Sequence, residues 1–173
     1  TRAAENAGVQ LVTVPGRTRQ QFYQGQARWA PVSGVVDAVN IPVVVNGDIV
    51  DLAAARRALE LSGAAAVMIG RGAQGQPWVV GQINAALNDN EVVPAPVGSA
   101  LTELVLGHHD AMMRAYGKEL GPRVARKHLD WYLVANDIEI DGEIRKALLT
   151  EPDAGRAHRL IADAFDAGWS EAA

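Results

Sequence analysis

The sequence predicts an α/β fold at residues 1–90, a linker at residues 91–98 and a small all-α bundle at residues 99–173. In the first region, short apolar runs of strand length alternate with segments of helix length, which is typical of a parallel sheet with helical crossovers. After Pro94 and Pro96 the apolar residues recur with a period of about 3.6, and no strand pattern follows. These two patterns carry the prediction of fold class.

The predicted strands are three apolar runs, at residues 9–14, 41–45 and 65–69. The middle run is almost entirely valine, as expected of a strand that is buried on both faces. A short helix is predicted between the first two strands, at about residues 31–39.

The remaining predicted helices have end signals or an apolar face. Asp51 is a favourable N-cap for a helix that reaches about residue 61 and ends at Gly63. Pro77 suits the first position of a helix that reaches about residue 87. In the second region helices are predicted from about residue 101, at 122–134 and at 152–167, and the first of these places His108 on its apolar face.

Composition is that of an ordinary globular protein, with 173 residues, 49% of them hydrophobic, and a net charge of −4. The chain has no cysteine, which excludes disulfides and a thiol catalyst within these residues. No apolar run approaches 18 residues and no signal-peptide pattern is present, so we expect no membrane span and a cytoplasmic location. Because the chain starts with Thr1, we also expect that an N-terminal part of a longer protein precedes it.

Two glycine-bearing polar turns directly follow predicted strands. The first contains Asn46, Gly47 and Asp48, and the second contains Gly70 and Arg71. Because ligands bind at the carboxyl ends of parallel strands, these turns predict a ligand site, and the backbone amides and guanidinium of the second suit a phosphate. The alternative is that both are ordinary strand-to-helix turns, with Asn and Asp as turn formers.

Two basic segments are candidates for anion contacts. Arg17 and Arg19 follow the first strand and lie at the same predicted end of the sheet. The alternative is that they belong to an ordinary solvated loop. Arg123, Arg126 and Lys127 fall on one side of the second predicted helix of the bundle, in a position to meet nucleic-acid phosphates. The alternative is an amphipathic helix with a charged outer face.

His108-His109-Asp110 is the strongest candidate for metal ligation. Consecutive helical residues point about 100° apart, so we expect these side chains not to converge on one ion and predict no metal site. No Ser/His/Asp triad or pair of carboxylates has a spacing that identifies a catalytic site.

In combination these motifs resemble the bacterial tRNA-dihydrouridine synthases. The resemblance runs from about residue 9 to residue 133, through Gly16-Arg17-Thr18-Arg19, Asn46-Gly47-Asp48-Ile49, Met68 to Trp78, Ala125-Arg126-Lys127-His128 and Trp131-Tyr132. It implies the last three strand–helix units of an FMN-binding (β/α)8 TIM barrel, followed by a helical domain that binds tRNA. It further implies a flavoprotein oxidoreductase that reduces uridine to 5,6-dihydrouridine with NADPH, through FMN.

The resemblance also implies roles for individual residues. Asn46, Gly47 and Asp48 would belong to the FMN site, and Gly70 and Arg71 would hold the FMN phosphate. The basic helix around Arg126 and Lys127 would face tRNA.

Two departures from the family pattern stand out. Pro15 occupies the place where the family usually has a flavin-contacting histidine. No catalytic residue is assigned within this chain, because the family's cysteine lies in the first half of its barrel. Since three parallel strands cannot close a barrel, we expect the isolated α/β region to expose its outer strands and to aggregate or oligomerise, leaving this chain alone inactive.

Three hypotheses follow for function. The first is the carboxyl-terminal part of a tRNA-dihydrouridine synthase. The second is another FMN-dependent barrel oxidoreductase that acts on a small molecule, which fits the two turns equally well. The third is a non-catalytic RNA-binding remnant, favoured by Pro15 and by the absence of the first half of the barrel from this sequence.

Overall fold

The computed structural model describes residues 1–22 and 24–170, with side-chain surroundings given up to residue 166. The chain divides into two compact units. The first, called here the α/β unit, comprises residues 1–73 and 77–93. The second, called the helical unit, comprises residues 74–76 and 94–173. None of the helices in the described part of the chain is both long enough and apolar enough to cross a membrane.

The α/β unit contains a three-stranded parallel sheet in the order β1-β2-β3. Its elements in chain order are α1 (Arg2–Asn6), β1 (Val12–Pro15), α2 (Ser33–Val36), β2 (Val43–Asn46), α3 (Leu52–Ser62), β3 (Ala66–Met68) and α4 (Val79–Leu87). Short 3-10 turns precede α2 and follow β3. The parallel α/β class predicted from the alternation is confirmed.

The central strand β2 carries the core of this unit. Val43 and Val45 are buried between the sheet and the helices, and Ala55 and Ala58 of α3 pack in the same cluster. Valine and alanine allow this close packing because their short side chains let the helix lie near the sheet. The outer strand β3 is different, since Ala66 and Met68 are exposed.

Helix α3 begins and ends where the local signals predict. The Asp51 side chain accepts a hydrogen bond from the Ala54 amide at 2.7 Å, which satisfies one of the unpaired N–H groups of the first turn. Gly63 ends the helix with φ 66°, a left-handed conformation that glycine adopts without a steric penalty. The helix expected at 31–39 is shorter than predicted, because only Ser33–Val36 is α-helical and a 3-10 turn precedes it.

The helical unit consists of α5 (Ser99–Ala135), α6 (Gly142–Thr150) and α7 (Ala154–Ser170). Gly117 interrupts α5 with φ 72°, so the two helices predicted on either side of it run as one kinked element. Helix α6 was not predicted. Its N-cap is Asp141, whose side chain accepts a hydrogen bond from the Glu143 amide.

The buried face of α5 is rotated from the predicted one. Leu101, Val105, His109 and Met112 are buried, whereas His108 is only half-buried. His108, predicted to be a core or interface histidine on the apolar face, is thus half-buried, and His109 is the histidine buried in the core. The 3.6-residue period allows two adjacent phases over a few turns, and the packing of α5 against α6 and α7 selects the phase that buries His109.

Candidate functional site

The loops that follow β1, β2 and β3 surround a cavity of about 460 Å³ in the α/β unit, called here the rim pocket. Its wall includes Arg17 from the first loop, Asn46 to Asp48 from the second, and Gly70 to Gly72 from the third. In a parallel sheet all three loops emerge at the carboxyl edge, which explains why residues distant in the sequence meet here. The volume is in the range of small-molecule sites.

One backbone and one side-chain hydrogen bond hold the strand ends in register beneath the pocket. The Gly16 amide donates to the Asn46 carbonyl at 2.7 Å, which extends the pairing of β1 and β2. The Asn46 side-chain amide donates to the Met68 carbonyl at 2.8 Å, which links β2 to β3. Asn46, predicted as a ligand residue, therefore also fixes the spacing of the two turns.

The second and third loops touch through their backbones. A Cβ added to Gly72 would lie 2.4 Å from the Ile49 carbonyl oxygen, so only glycine permits this approach. At Gly70 an added Cβ would meet nothing within 4 Å among the described residues. The two glycines of one short motif thus have different roles, since one is needed for packing and the other borders open space.

Asp48 is at the centre of the charged groups in the rim pocket. Its carboxylate accepts a hydrogen bond from Arg17 Nη2 at 2.5 Å and one from the Ala27 amide at 2.8 Å. Arg71 Nη2 lies 3.7 Å from its other oxygen. Partial burial acts to raise the pKa of Asp48, but the hydrogen bonds from Arg17 and Ala27 and the nearby arginine charges outweigh it, so the pKa is lowered.

The backbone of Asp48 is also constrained. Its φ of 52° lies in the left-handed region, which Asp tolerates better than most residues. The loop after β1 holds this conformation in place, because Trp29 Nε1 donates to the Gly47 carbonyl at 2.8 Å and Ala27 binds the carboxylate. The sequence alone did not indicate a role for Ala27 or Trp29, since both act through contacts with a loop about 20 residues further along the chain.

The two arginines of the rim pocket differ in exposure. Arg17 is 11% exposed, and its guanidinium also donates to the Gly25 carbonyl. Arg71 is 57% exposed. Arg17 is thus fixed in the wall, and Arg71 presents its charge at the opening. The other predicted residue of the first loop, Arg19, is exposed.

In the helical unit, the predicted basic residues of α5 are all on the surface. Arg123, Arg126 and Lys127 are exposed. Arg126 Nε donates to the Leu149 carbonyl at 2.8 Å near the end of α6, and the Lys127 ammonium lies 5.6 Å from the centre of the Trp131 ring. These contacts orient two of the three cations without burying them.

Comparison with known proteins identifies the family. The family model for dihydrouridine synthase (Dus) matches residues 1–161, which is most of the chain. The chain belongs to the dihydrouridine synthase family. The match includes every residue of the rim pocket and the whole basic face of α5.

Relatives of this family are similar along most of the chain. A probable tRNA-dihydrouridine synthase of Rhodobacter capsulatus is 49% identical over 94% of the chain and 49% of its own length. The tRNA-dihydrouridine synthase B of Xanthomonas axonopodis pv. citri is 42% identical over 96% of the chain and 49% of its own length. A probable tRNA-dihydrouridine synthase of Rickettsia bellii is 44% identical over 88% of the chain. The chain spans about half the length of these curated relatives.

Within this Dus sequence the segment 74–76, which follows the third loop, packs in the helical unit. Gly75 has φ 74°, and a Cβ added there would lie 2.1 Å from the Trp131 carbonyl oxygen. Asn136 Nδ2 donates to the Gly75 carbonyl at 3.1 Å. The close contact of Gly75 with α5 was not predicted from the sequence.

Proposed function

We propose that the chain forms the carboxyl-terminal part of a tRNA-dihydrouridine synthase, which reduces uridine to 5,6-dihydrouridine in tRNA with NADPH through FMN. The observation that carries this proposal is the rim pocket, where the Asp48 and Arg71 loops lie side by side at the carboxyl edge of a parallel sheet. Membership of the dihydrouridine synthase family supports the proposed reaction, and the rim pocket supports the proposed cofactor site.

The three strands are proposed to be the last three of a (β/α)8 barrel, with residues 1–90 as the partial barrel, 91–98 as the linker and 99–173 as the tRNA-binding domain. In that numbering β2 and β3 are strands seven and eight. Phosphate groups in such barrels frequently bind at the loops after these two strands. The loops that contain Asp48 and Arg71 occupy those positions.

The residues of the rim pocket fit FMN on two grounds. The open space at Gly70 lets a phosphate approach the backbone closely. Arg17, Arg71 and Asp48 sum to one positive charge, because the carboxylate with its lowered pKa is ionised and neutralises only one of the two guanidinium groups. The pocket therefore offers a net positive field to a phosphate.

Each residue has a distinct proposed role. Arg71 neutralises the phosphate at the opening, and Gly70 allows contact with the backbone. Arg17 holds the Asp48 carboxylate in place, and Asn46, Gly47 and Asp48 would bind the remainder of the cofactor.

When bound, FMN would supply hydride transfer from NADPH to the uridine C5–C6 double bond. Saturating that bond also needs a proton. The 173 residues contain no cysteine, and we propose that the family's cysteine, in the half of the barrel that this sequence does not include, is the proton donor.

We further propose that tRNA phosphates bind Arg123, Arg126 and Lys127 on α5. Their exposure supports this, as does the position of Lys127 above Trp131, which restricts the ammonium to one side of the helix. Arg19 is proposed as an additional phosphate contact, because Arg17 is already bound within the pocket wall.

Pro15 favours a different candidate function, the non-catalytic RNA-binding remnant. It borders the rim pocket, and as an imino acid it offers neither a side-chain donor nor a backbone N–H to the cofactor. Under this candidate the basic face of α5 would still bind tRNA, but no reduction would occur.

A chimera separates the candidates. The half of the Rhodobacter capsulatus relative that the chain does not cover is joined ahead of residue 1, and the purified product is incubated with tRNA and NADPH. Formation of dihydrouridine supports the enzyme, whereas a chimera that binds tRNA without retaining flavin supports the remnant. A Pro15→His version serves as the matched comparison for flavin retention.

The RNA contact has its own test. Charge reversal of Arg126 and Lys127 to Glu should weaken tRNA binding and make it less sensitive to salt, because fewer counterions are released. Reversal of Arg56 and Arg57 on the exposed face of α3 is the control of equal charge change. Equal tRNA affinity for the α5 variant and the parent protein would contradict the proposed interface.

A further inference from the structure

Two histidines and an aspartate meet inside the helical unit. His109 and Asp110 lie on α5, and His158 lies on α7. One ligand atom from each lies within 4.8 Å of the others. We propose that these residues bind a divalent transition-metal ion, Zn²⁺ in the first instance, which joins α5 to α7. The proposal does not depend on the proposed function.

The strongest observation is the state of the imidazole nitrogens. His109 is 2% exposed, and its Nδ1 has no hydrogen-bond partner among the described residues. Nε2 of His158 is likewise buried without a hydrogen bond, although it lies 2.8 Å from Asp110 Oδ1. A buried polar atom without a partner is unfavourable and requires an explanation. A cation bound by the three side chains would give a buried imidazole nitrogen a partner and would neutralise the carboxylate.

The distances suit closure around an ion. Zn²⁺ with bonds of about 2.0–2.1 Å holds tetrahedral ligand atoms about 3.3 Å apart. Ligand atoms that already lie within 4.8 Å of one another need to approach by at most about 1.5 Å. The two imidazole rings are edge-to-face, with centroids 5.3 Å apart, so small side-chain rotations bring their nitrogens together.

The ligand types select the class of ion. Two imidazoles and one carboxylate suit Zn²⁺, Co²⁺ or Ni²⁺, whereas Mg²⁺ prefers a set of oxygen ligands and retains its water. Three protein ligands leave the fourth position of a tetrahedral ion for water.

The sequence-based expectation of no metal site considered one helix only. It rested on the divergence of consecutive residues such as His109 and Asp110. The third ligand, His158, comes from a different helix 48 positions further along, and only the packing of α7 against α5 brings it near.

The experiment is a calorimetric titration of the metal-free 173-residue chain with ZnCl₂. We expect saturable binding of one ion per chain. His158→Gln and Asp110→Asn should each weaken binding by about tenfold or more, because even changes outside the ligand shell cost that much in metal sites. His128→Gln is the matched control, since His128 lies on α5 beside His108 and outside the cluster, and it should leave binding unchanged.

Circular dichroism of each variant verifies the fold, and His109 is left unaltered because its burial makes folding sensitive to substitution. Zinc should also raise the thermal midpoint of the parent chain and not that of His158→Gln. The proposal is overturned if the parent and His158→Gln bind Zn²⁺ equally, if zinc does not bind, or if Mg²⁺ binds as tightly as Zn²⁺. In those cases the cluster is only a packing contact between the His158 and Asp110 side chains.

Discussion

The rim pocket of the α/β unit and the polar groups of the helical unit are positioned by different features of the chain. In the pocket, each functional loop directly follows a strand, so the position of the strand fixes the position of the loop. In the helical unit, a polar side chain is placed by helix phase and by the packing of a second helix. The comparison teaches that chain connectivity predicts a site better than periodicity does.

The largest effects on the free energy of unfolding are expected where glycine allows two backbone segments to touch, and the first such position is in the helical unit. Gly75→Ala should destabilise it by about 3 kcal/mol, because the new Cβ would overlap the Trp131 carbonyl and the residue has a positive φ. Gly107→Ala, on an open stretch of α5, should instead be neutral or stabilise by up to about 1 kcal/mol. Urea unfolding followed by circular dichroism measures both. Equal effects would show that Gly75 does not pack as described.

The corresponding pair in the α/β unit is Gly72 and Gly70, two residues apart in one motif. Gly72→Ala should cost about 2 kcal/mol because its Cβ would meet the Ile49 carbonyl at 2.4 Å. Gly70→Ala should change the free energy of unfolding by less than about 0.5 kcal/mol, since open space surrounds it. Denaturant unfolding of the two variants gives the result, and a larger effect at Gly70 would contradict the described approach of the two loops.

A smaller effect is expected at a partly buried hydrogen bond of the helical unit. The Tyr132 hydroxyl lies 3.0 Å from His108 Nδ1, and burial raises the pKa of Tyr132 to about 12. Tyr132→Phe should therefore cost about 1 kcal/mol at neutral pH. Tyr116→Phe, at an exposed position, is the control and should have no measurable effect. An equal loss of stability in Tyr132→Phe and Tyr116→Phe would show that the contact with His108 does not stabilise the fold.

The smallest effect concerns acid. Because the folded pKa of Asp48 is lowered, its contacts with Arg17 and Arg71 contribute stability above the ordinary carboxyl pKa of 3.8 and lose it as the pH falls through the lowered value. The difference in stability between the parent and Asp48→Asn should be small near neutral pH and should disappear as the pH falls from 3.8 through the lowered pKa of Asp48. Glu60→Gln, which removes the exposed Arg57 ion pair, is the control. A difference that grows in acid would reverse the assigned sign.

Particular residues show why some features were predictable and others were not. Asp51 and Gly63 mark the ends of α3 through their own conformational preferences, which are local. The burial of His109 was not predicted, because the apolar stripe of α5 fits two neighbouring phases. The hydrogen bond from Ala27 to Asp48 comes from the backbone amide, which every residue except proline has. The residue type therefore does not predict this contact, and only the three-dimensional structure shows it.

The most direct test of the account is the affinity of the rim pocket for FMN. In the chimera with the Rhodobacter capsulatus half, flavin titration is measured for Arg71→Ala and for the control Arg57→Ala, whose guanidinium is similarly exposed but lies on α3. Loss of a charged hydrogen bond to phosphate should weaken binding by about 10- to 100-fold at Arg71 only. Unchanged FMN affinity in Arg71→Ala would contradict the assignment of this loop to the cofactor phosphate.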